Sequence, residues 1–156
     1  MLGTVKKTRI RWMREGEAWR VAEISQTVFR PVDAWTLDEV LDFAEIPSCY
    51  PKVLLAKKKI LGGVFYTVHH HIVQIRHLLV EPTAWRRGLG RRLVEHVIDQ
   101  LPELRRRIIL IEVPERHMAG QCLMRSCKFD CFRTTQHSND PEDYYAMRYI
   151  GKGRRR

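Results

Sequence analysis

One stretch limits what this chain can fold into more than any other. Residues 78–91 read Leu78-Leu79-Val80-Glu81-Pro82-Thr83-Ala84-Trp85-Arg86-Arg87-Gly88-Leu89-Gly90-Arg91. An apolar strand runs into a proline, a basic pair and a G-x-G turn, and an amphipathic helix starts at once, with Leu93, Val94, Val97, Ile98 and Leu101 at helical spacing. Glycines let the backbone come close to a ligand. The free amides of the first helical turn, together with the positive end of the helix dipole, make a cradle for an anion. Arg86, Arg87, Arg91 and Arg92 add formal charge, so the site suits a phosphate. A lone G-x-G occurs in many turns; strand, proline, basic pair, G-x-G and helix in this order is far more specific.

The rest of the chain supplies elements around that unit. Thr8 to Met13 reads as a strand, and Glu15 to Phe29 as a helix stopped by Pro31. A second helix starts at Thr36, where Thr36-Leu37-Asp38-Glu39 has the form of a capping box, and runs to about Ala44. Lys52 to Lys57, Ile60 to His69 and His71 to Val80 form an antiparallel meander with turns at Lys58-Lys59 and His70. The helix after the G-x-G is expected to end at Pro102. Ile108 to Val113 is a continuous apolar run, as in a strand covered on both faces. A helix from His117 to Cys127 and two strands, Phe129 to Gln136 and Tyr144 to Ile150, complete the chain. The order β-α-α-β-β-β-α-β-α-β-β predicts a mixed α/β (α+β) domain on one sheet.

Length and composition agree with a single domain. At 156 residues a chain buries roughly two-thirds of its unfolded surface, enough for a core without disulfides or metal. A hydrophobic content of 44%, with 4 Trp, 5 Tyr and 5 Phe, excludes intrinsic disorder. No apolar run approaches the ~20 residues of a membrane-spanning helix, and no signal-peptide stretch follows the basic N-terminus. Cys122, Cys127 and Cys131 crowd together without a C-x-x-C pair, which fits reduced thiols; a cytoplasmic protein is expected. His69-His70-His71 alternates faces and does not converge on one ion, so no metal site is expected.

The charge is the strongest compositional signal. With 28 Lys+Arg against 18 Asp+Glu the chain carries +10, which favours polyanions without choosing among them: nucleic acid, ribosome, an anionic membrane or a phosphate-rich small molecule. For Arg105 to Arg107 and Lys152 to Arg156 two readings stand, solvated charge and a partner contact.

Val80-x-Pro82 followed by Arg87-Gly88-Leu89-Gly90 resembles the acetyl-CoA signature of the GNAT superfamily of N-acetyltransferases, and the element order over residues 8–150 is similar to its fold. Basic termini, 1–7 and 151–156, flank that domain. Within the superfamily the chain most resembles the branch that acetylates protein N-termini, typified by the ribosomal-protein-alanine acetyltransferase. Leu79-Val80-Glu81-Pro82, Ile111-Glu112-Val113 and Glu142-Asp143-Tyr144-Tyr145-Ala146-Met147 carry that likeness. The resemblance implies a mostly antiparallel sheet of about seven strands, splayed between strands 4 and 5. It implies acetyl-CoA as co-substrate, with pyrophosphate on the amides of Arg86, Arg87, Gly88, Leu89, Gly90 and Arg91. The edge of Leu78, Leu79 and Val80 would pair with pantetheine, and His117 would stand where an asparagine usually meets the cofactor.

The implied reaction is attack of a primary amine, most simply a protein N-terminus, on the thioester within a ternary complex. Glu112 takes the place of the catalytic base, and the alternative is a carboxylate paired with a neighbouring arginine. Tyr145 takes the place of the tyrosine that lines the peptide N-terminus, and the alternative is packing across the sheet. Tyr144 is expected on the opposite face. The loop from Phe29 to Trp35 either shapes the acceptor pocket or staples the second helix. Three departures from the family pattern stand out: Met124 where a tyrosine protonates the leaving thiolate, Trp85 for glutamine or arginine, and Lys128 for a glycine. The missing acid leaves a second function open, a CoA-binding or nucleic-acid-associated module without catalysis.

Overall fold

The computed structural model describes residues 7–152. Residues 1–6 and 153–156, which hold most of the two basic termini, lie outside the described residues. Seven strands form one sheet: β1 (Arg9–Trp12), β2 (Cys49–Ala56), β3 (Lys59–Val68), β4 (Ile72–Val80), β5 (Ile108–Pro114), β6 (Asp130–Gln136) and β7 (Asp143–Ile150), in the spatial order β1-β2-β3-β4-β5-β7-β6. Only β4 and β5 are parallel neighbours. Four helices cover it: α1 (Ala18–Val28), α2 (Leu37–Glu45), α3 (Leu89–Leu104) and α4 (Met118–Ser126).

The pleat explains the layering. Along β2 the side chains alternate, so Val53 and Leu55 pack with α1 and α2, through Val21, Ile24 and Val40, while Leu54 faces the opposite layer of Leu93, Val97 and Met124 from α3 and α4. The α2 capping box forms as read: Thr36 Oγ1 accepts from the Glu39 amide at 3.2 Å, and Glu39 returns to the Thr36 amide at 3.3 Å. The β2–β3 hairpin turns on Lys57 and Lys58, both with positive φ (48° and 67°), as a two-residue primed turn requires.

Two helix ends differ from expectation. Glu15–Glu17 is a separate 3-10 turn, so α1 starts at Ala18. α3 runs past Pro102 to Leu104, because a proline so near the C-terminus removes a single intrahelical hydrogen bond. There the Arg106 amide donates to Leu101 O and the Arg105 amide to Pro102 O, with Arg105 at φ 55°. That is a Schellman motif with arginine at the position glycine normally fills. α4 ends the same way: Phe129 N donates to Met124 O and Lys128 N to Arg125 O, with Lys128 at φ 69°.

Candidate active site

The site begins where β4 and β5 part. Their pairing runs from Ile72↔Ile108 to Ile75↔Ile111 and stops. A bulge at Arg76 shifts the β3–β4 register between Tyr66↔Ile75 and Phe65↔His77, and beyond it the two parallel strands splay as expected. β3 presses on β4 from the other side at Gly62, where a Cβ would collide with the Leu79 carbonyl oxygen. Gly62→Ala is therefore expected to destabilise the fold by about 2 kcal/mol or more, since backbone has to move to relieve the clash; a urea midpoint equal to wild type would contradict this.

The splay opens a cleft of about 1140 Å³, above the roughly 300–1,000 Å³ of ordinary small-molecule sites, so it has room for a large ligand and a second reactant. At one end Pro82–Ala84 makes a 3-10 turn, Arg86 takes φ 62° and Gly88, the N-cap of α3, takes φ 76°. No side chain caps α3, so the amides of Leu89, Gly90 and Arg91 are left to point at a ligand. Leu78, Leu79, Val80, Arg86, Gly88, Leu89, Gly90, Arg91 and His117 all line the cleft. Arg87 does not; its side chain is exposed outside. Arg91 bonds Glu95 at 3.0 Å and reaches Ser126 O at 3.4 Å, which ties the cradle to α4. Trp85 donates its indole N–H to Val80 O at 2.7 Å, so that carbonyl is already engaged and the open edge of β4 lies at Leu78 and Leu79.

At the other end a carboxylate faces the loops. Glu112 pairs with Ala146 of β7, on the face opposite Ile111 and Val113, and its Oε2 lies 2.5 Å from His137 Nε2. The Glu112 side chain is 33% exposed, so neither a fully buried charge nor an arginine partner is present; the partner is an imidazole from the β6–β7 loop. The His137 ring stands edge-on to Tyr144, with centroids 4.5 Å apart. Tyr144 donates to Asp140 at 2.5 Å and lies 3.0 Å from Asp33. Burial, then these two contacts, hold its hydroxyl well above the usual phenol range. Arg30 joins the α1–α2 loop to the β6–β7 loop, reaching Asp33 at 2.8 Å, Asp140 at 3.1 Å and Glu142 at 2.6 Å. Asp140 sits below the usual carboxylate range because the Tyr144 hydroxyl and the Glu142 amide donate to it, and Glu142 because the Arg116 amide does.

A buried polar group anchors the α1–α2 loop on β4. Ser25 Oγ accepts from the Trp35 amide at 2.8 Å and hydrogen-bonds His77 Nε2 at 2.7 Å. Trp35 stacks flat on His77, 4.4 Å away and 3° from parallel, and also packs on Phe43 of α2. The Phe29–Trp35 loop thus does both things read from its aromatics, lining the cleft and stapling α2.

The model of the acetyltransferase (GNAT) family matches residues 18–129. The chain belongs to the GNAT acetyltransferase family. Solved structures repeat the fold of this acetyltransferase over nearly its whole length. The ribosomal-protein-S18-alanine N-acetyltransferase of Escherichia coli superposes with a TM-score of 0.79 at 19% identity, over 94% of this chain and 96% of that one. Ard1 of Thermoplasma volcanium gives 0.84 at 19%, over 94% and 99%. NAA60 of Arabidopsis thaliana, solved with acetyl-CoA, gives 0.79 at 14%, over 92% and 99%. No curated protein sequence matches the chain.

Besides Arg87, one expected residue of the acetyltransferase is placed differently. Tyr145 pairs with Val113 and packs in the layer under α3 and α4, outside the cleft. Tyr144 and Ala146 share the face of Glu112, so Tyr144 is the tyrosine that lines the cleft. Alternation was readable in the sequence, but its phase is set by register to β5. Met124 lines the cleft at 1% exposure, a thioether with no proton to give. His117 packs its ring on Gly120, where a Cβ would meet Nδ1 at 2.6 Å. His137 gave no signal of its own: it lies 25 residues from Glu112 in a polar loop. Among the described residues no group of three or more His, Cys, Asp or Glu is arranged to hold a metal, and no helix is long and apolar enough to cross a membrane.

Proposed function

We propose that this GNAT acetyltransferase moves an acetyl group from acetyl-CoA to a protein N-terminal amine. The observation that carries the reading is the Glu112–His137 pair standing across the splayed cleft from the anion cradle. The cleft fits the donor: the α3 amides and Arg86 suit a pyrophosphate, and the open edge of β4 at Leu78 and Leu79 suits an amide-bearing arm. When bound, acetyl-CoA supplies an acetyl group activated as a thioester.

The chain's own residues then handle the proton. An N-terminal amine has a pKa near 7.7–8.0, so at pH 7 about one in ten is free base, against about one in 2,500 for a lysine near 10.4. Taking the proton from the first is much the smaller task for a positioned carboxylate. Glu112 takes the ammonium proton, directly or through a water, and His137 holds the carboxylate in place. Backbone amides of β4 polarise the reacting carbonyl. With Met124 unable to donate, the leaving thiolate takes its proton from water entering beside Arg116, whose side chain is 72% exposed. The name of the ribosomal-protein-S18-alanine N-acetyltransferase supports the acceptor class. The four free thiols suit a reducing cytoplasm, and a +10 chain is drawn to a ribosome's phosphates.

The test is CoA thiol release from acetyl-CoA with peptides bearing free N-termini, with the same peptides blocked at the N-terminus but carrying lysine, and with polyamines. Turnover on free N-termini alone supports the reading; turnover confined to lysine or polyamines overturns the acceptor, and none at all overturns the enzyme. Tyr144→Phe is expected to raise the peptide KM several-fold, whereas Tyr145→Phe leaves it unchanged.

A further inference from the structure

Every non-glycine residue with positive φ among the described residues is a cation: Lys57, Lys58, Arg86, Arg105 and Lys128. A side chain in that region is strained relative to glycine, so a cation there asks for a reason. Arg86 has one in the cofactor cradle. Arg105 lies elsewhere, at the end of the sheet opposite the cleft. β4 leaves His71 and ends at the cleft with Val80; β5 leaves Arg107 and ends there with Glu112 to Pro114. Nine strand residues, about 30 Å, separate the two ends.

At that far end three segments are tied together through the backbone. Arg106 Nε donates to His69 O at 2.7 Å, Gly151 N to Arg107 O at 2.7 Å, and Arg107 to Gly151 O at 3.4 Å. The result brings His69 to His71, Arg105 to Arg107 and Lys152 onto one surface. Among the described ion pairs none involves Arg105, Arg106, Arg107 or Lys152. Of the acids on this side, Glu103 interacts with Lys52 and Asp130 lies 3.9 Å from Arg148. Arg106 spends its donors on backbone carbonyls and acts as scaffold, leaving the forks of Arg105 and Arg107 to the solvent side. Exposed His70 and His71 rings, 4.1 Å apart and at 62°, offer faces for stacking bases.

We propose that this end of the sheet, built from His69 to His71, Arg105 to Arg107 and Lys152, binds the phosphodiester backbone of single-stranded RNA. It is independent of the acetyl-transfer site and stands whether or not that site's acceptor is an N-terminus.

The experiment is fluorescence anisotropy of the full chain with a labelled 12-nucleotide oligo-U, from 50 to 300 mM KCl. Wild type is expected to bind with a steep salt dependence. Each lost phosphate contact lowers affinity about fivefold at 0.1 M salt and flattens the log–log slope by about 0.7. The triple variant Arg105→Gly, Arg107→Ser, Lys152→Ser then binds about a hundredfold more weakly, with acetyl transfer as in wild type. Arg105→Gly alone relieves the left-handed strain, so its Tm rises by about 2–4 °C while RNA affinity falls. Arg107→Gln, an exposed single change, gives the slope measurement should the triple variant fold poorly. The proposal is overturned if the triple variant binds as wild type, if saturating CoA or Arg86→Ser abolishes binding, or if truncation after Lys152 alone removes it. It also fails if anionic phosphatidylserine vesicles bind and RNA does not, or if Arg105→Gly lowers Tm and leaves affinity unchanged, which would mark Arg105 as a helix-dipole partner only.

Discussion

Glu112→Gln is expected to lower kcat on a peptide N-terminus by about a hundredfold or more at pH 7, within the 10²–10⁴ that general-base catalysis contributes. Glutamine keeps the shape and a hydrogen bond to His137, so the fold and the acetyl-CoA KM, set at the α3 cradle, should stay within about twofold. The deficit should shrink as pH rises from 7 to 9, because the amine then loses its proton unaided. His137→Gln leaves the carboxylate in place and should cost about tenfold. Steady-state thiol release across that pH range reads all of this; full turnover by Glu112→Gln would remove Glu112 as base and leave the family membership intact.

The second large effect is acid loss of stability through His77. Burial pulls its pKa from 6.5 to about 4, so the folded state favours the neutral ring and the unfolded state binds the proton. Its contribution is full above about pH 6.5 and lost as pH falls towards 4. A gap of that size is worth about 3 kcal/mol, a large part of a typical stability of 5–15 kcal/mol. Urea unfolding followed by tryptophan fluorescence should show the wild-type midpoint falling between pH 7 and 4.5. His77→Gln should start lower, having lost the Trp35 stack and the Ser25 bond, and stay flatter over the same interval. Carboxylates do not blur the window. Asp140 and Glu142 have depressed values, so their share is held above about pH 4.5 and lost only below it. Parallel wild-type and His77→Gln curves would sink this account.

How far the sequence reached follows from the range of each interaction. The anion cradle was legible because glycine, proline and the first helical turn act on residues next to them, and the α2 capping box for the same reason. The end of α3 was not, because its closing position holds Arg105 in place of the glycine that marks such ends. Glu112 could be placed on its strand, yet its partner His137 is brought to it only by the β6–β7 hairpin. Ser25 and His77 are 52 residues apart and meet only once α1 docks on β4. The exchange of Tyr145 for Tyr144 has the same origin: strand alternation is local, but which member of the pair faces the cleft depends on Val113 lying opposite Tyr145.

The Arg30 cluster has a consequence for how an acceptor gets in. Residues 30 and 140–142 are more than a hundred positions apart, yet one guanidinium fastens both loops that border the acceptor end. The doorway therefore has a welded frame in place of two swinging leaves, and its width is set at folding and not by the visitor. An entrance of fixed width suits the thin, extended chain end proposed as the acceptor, and only acid strong enough to neutralise Asp140 and Glu142 would unhinge it.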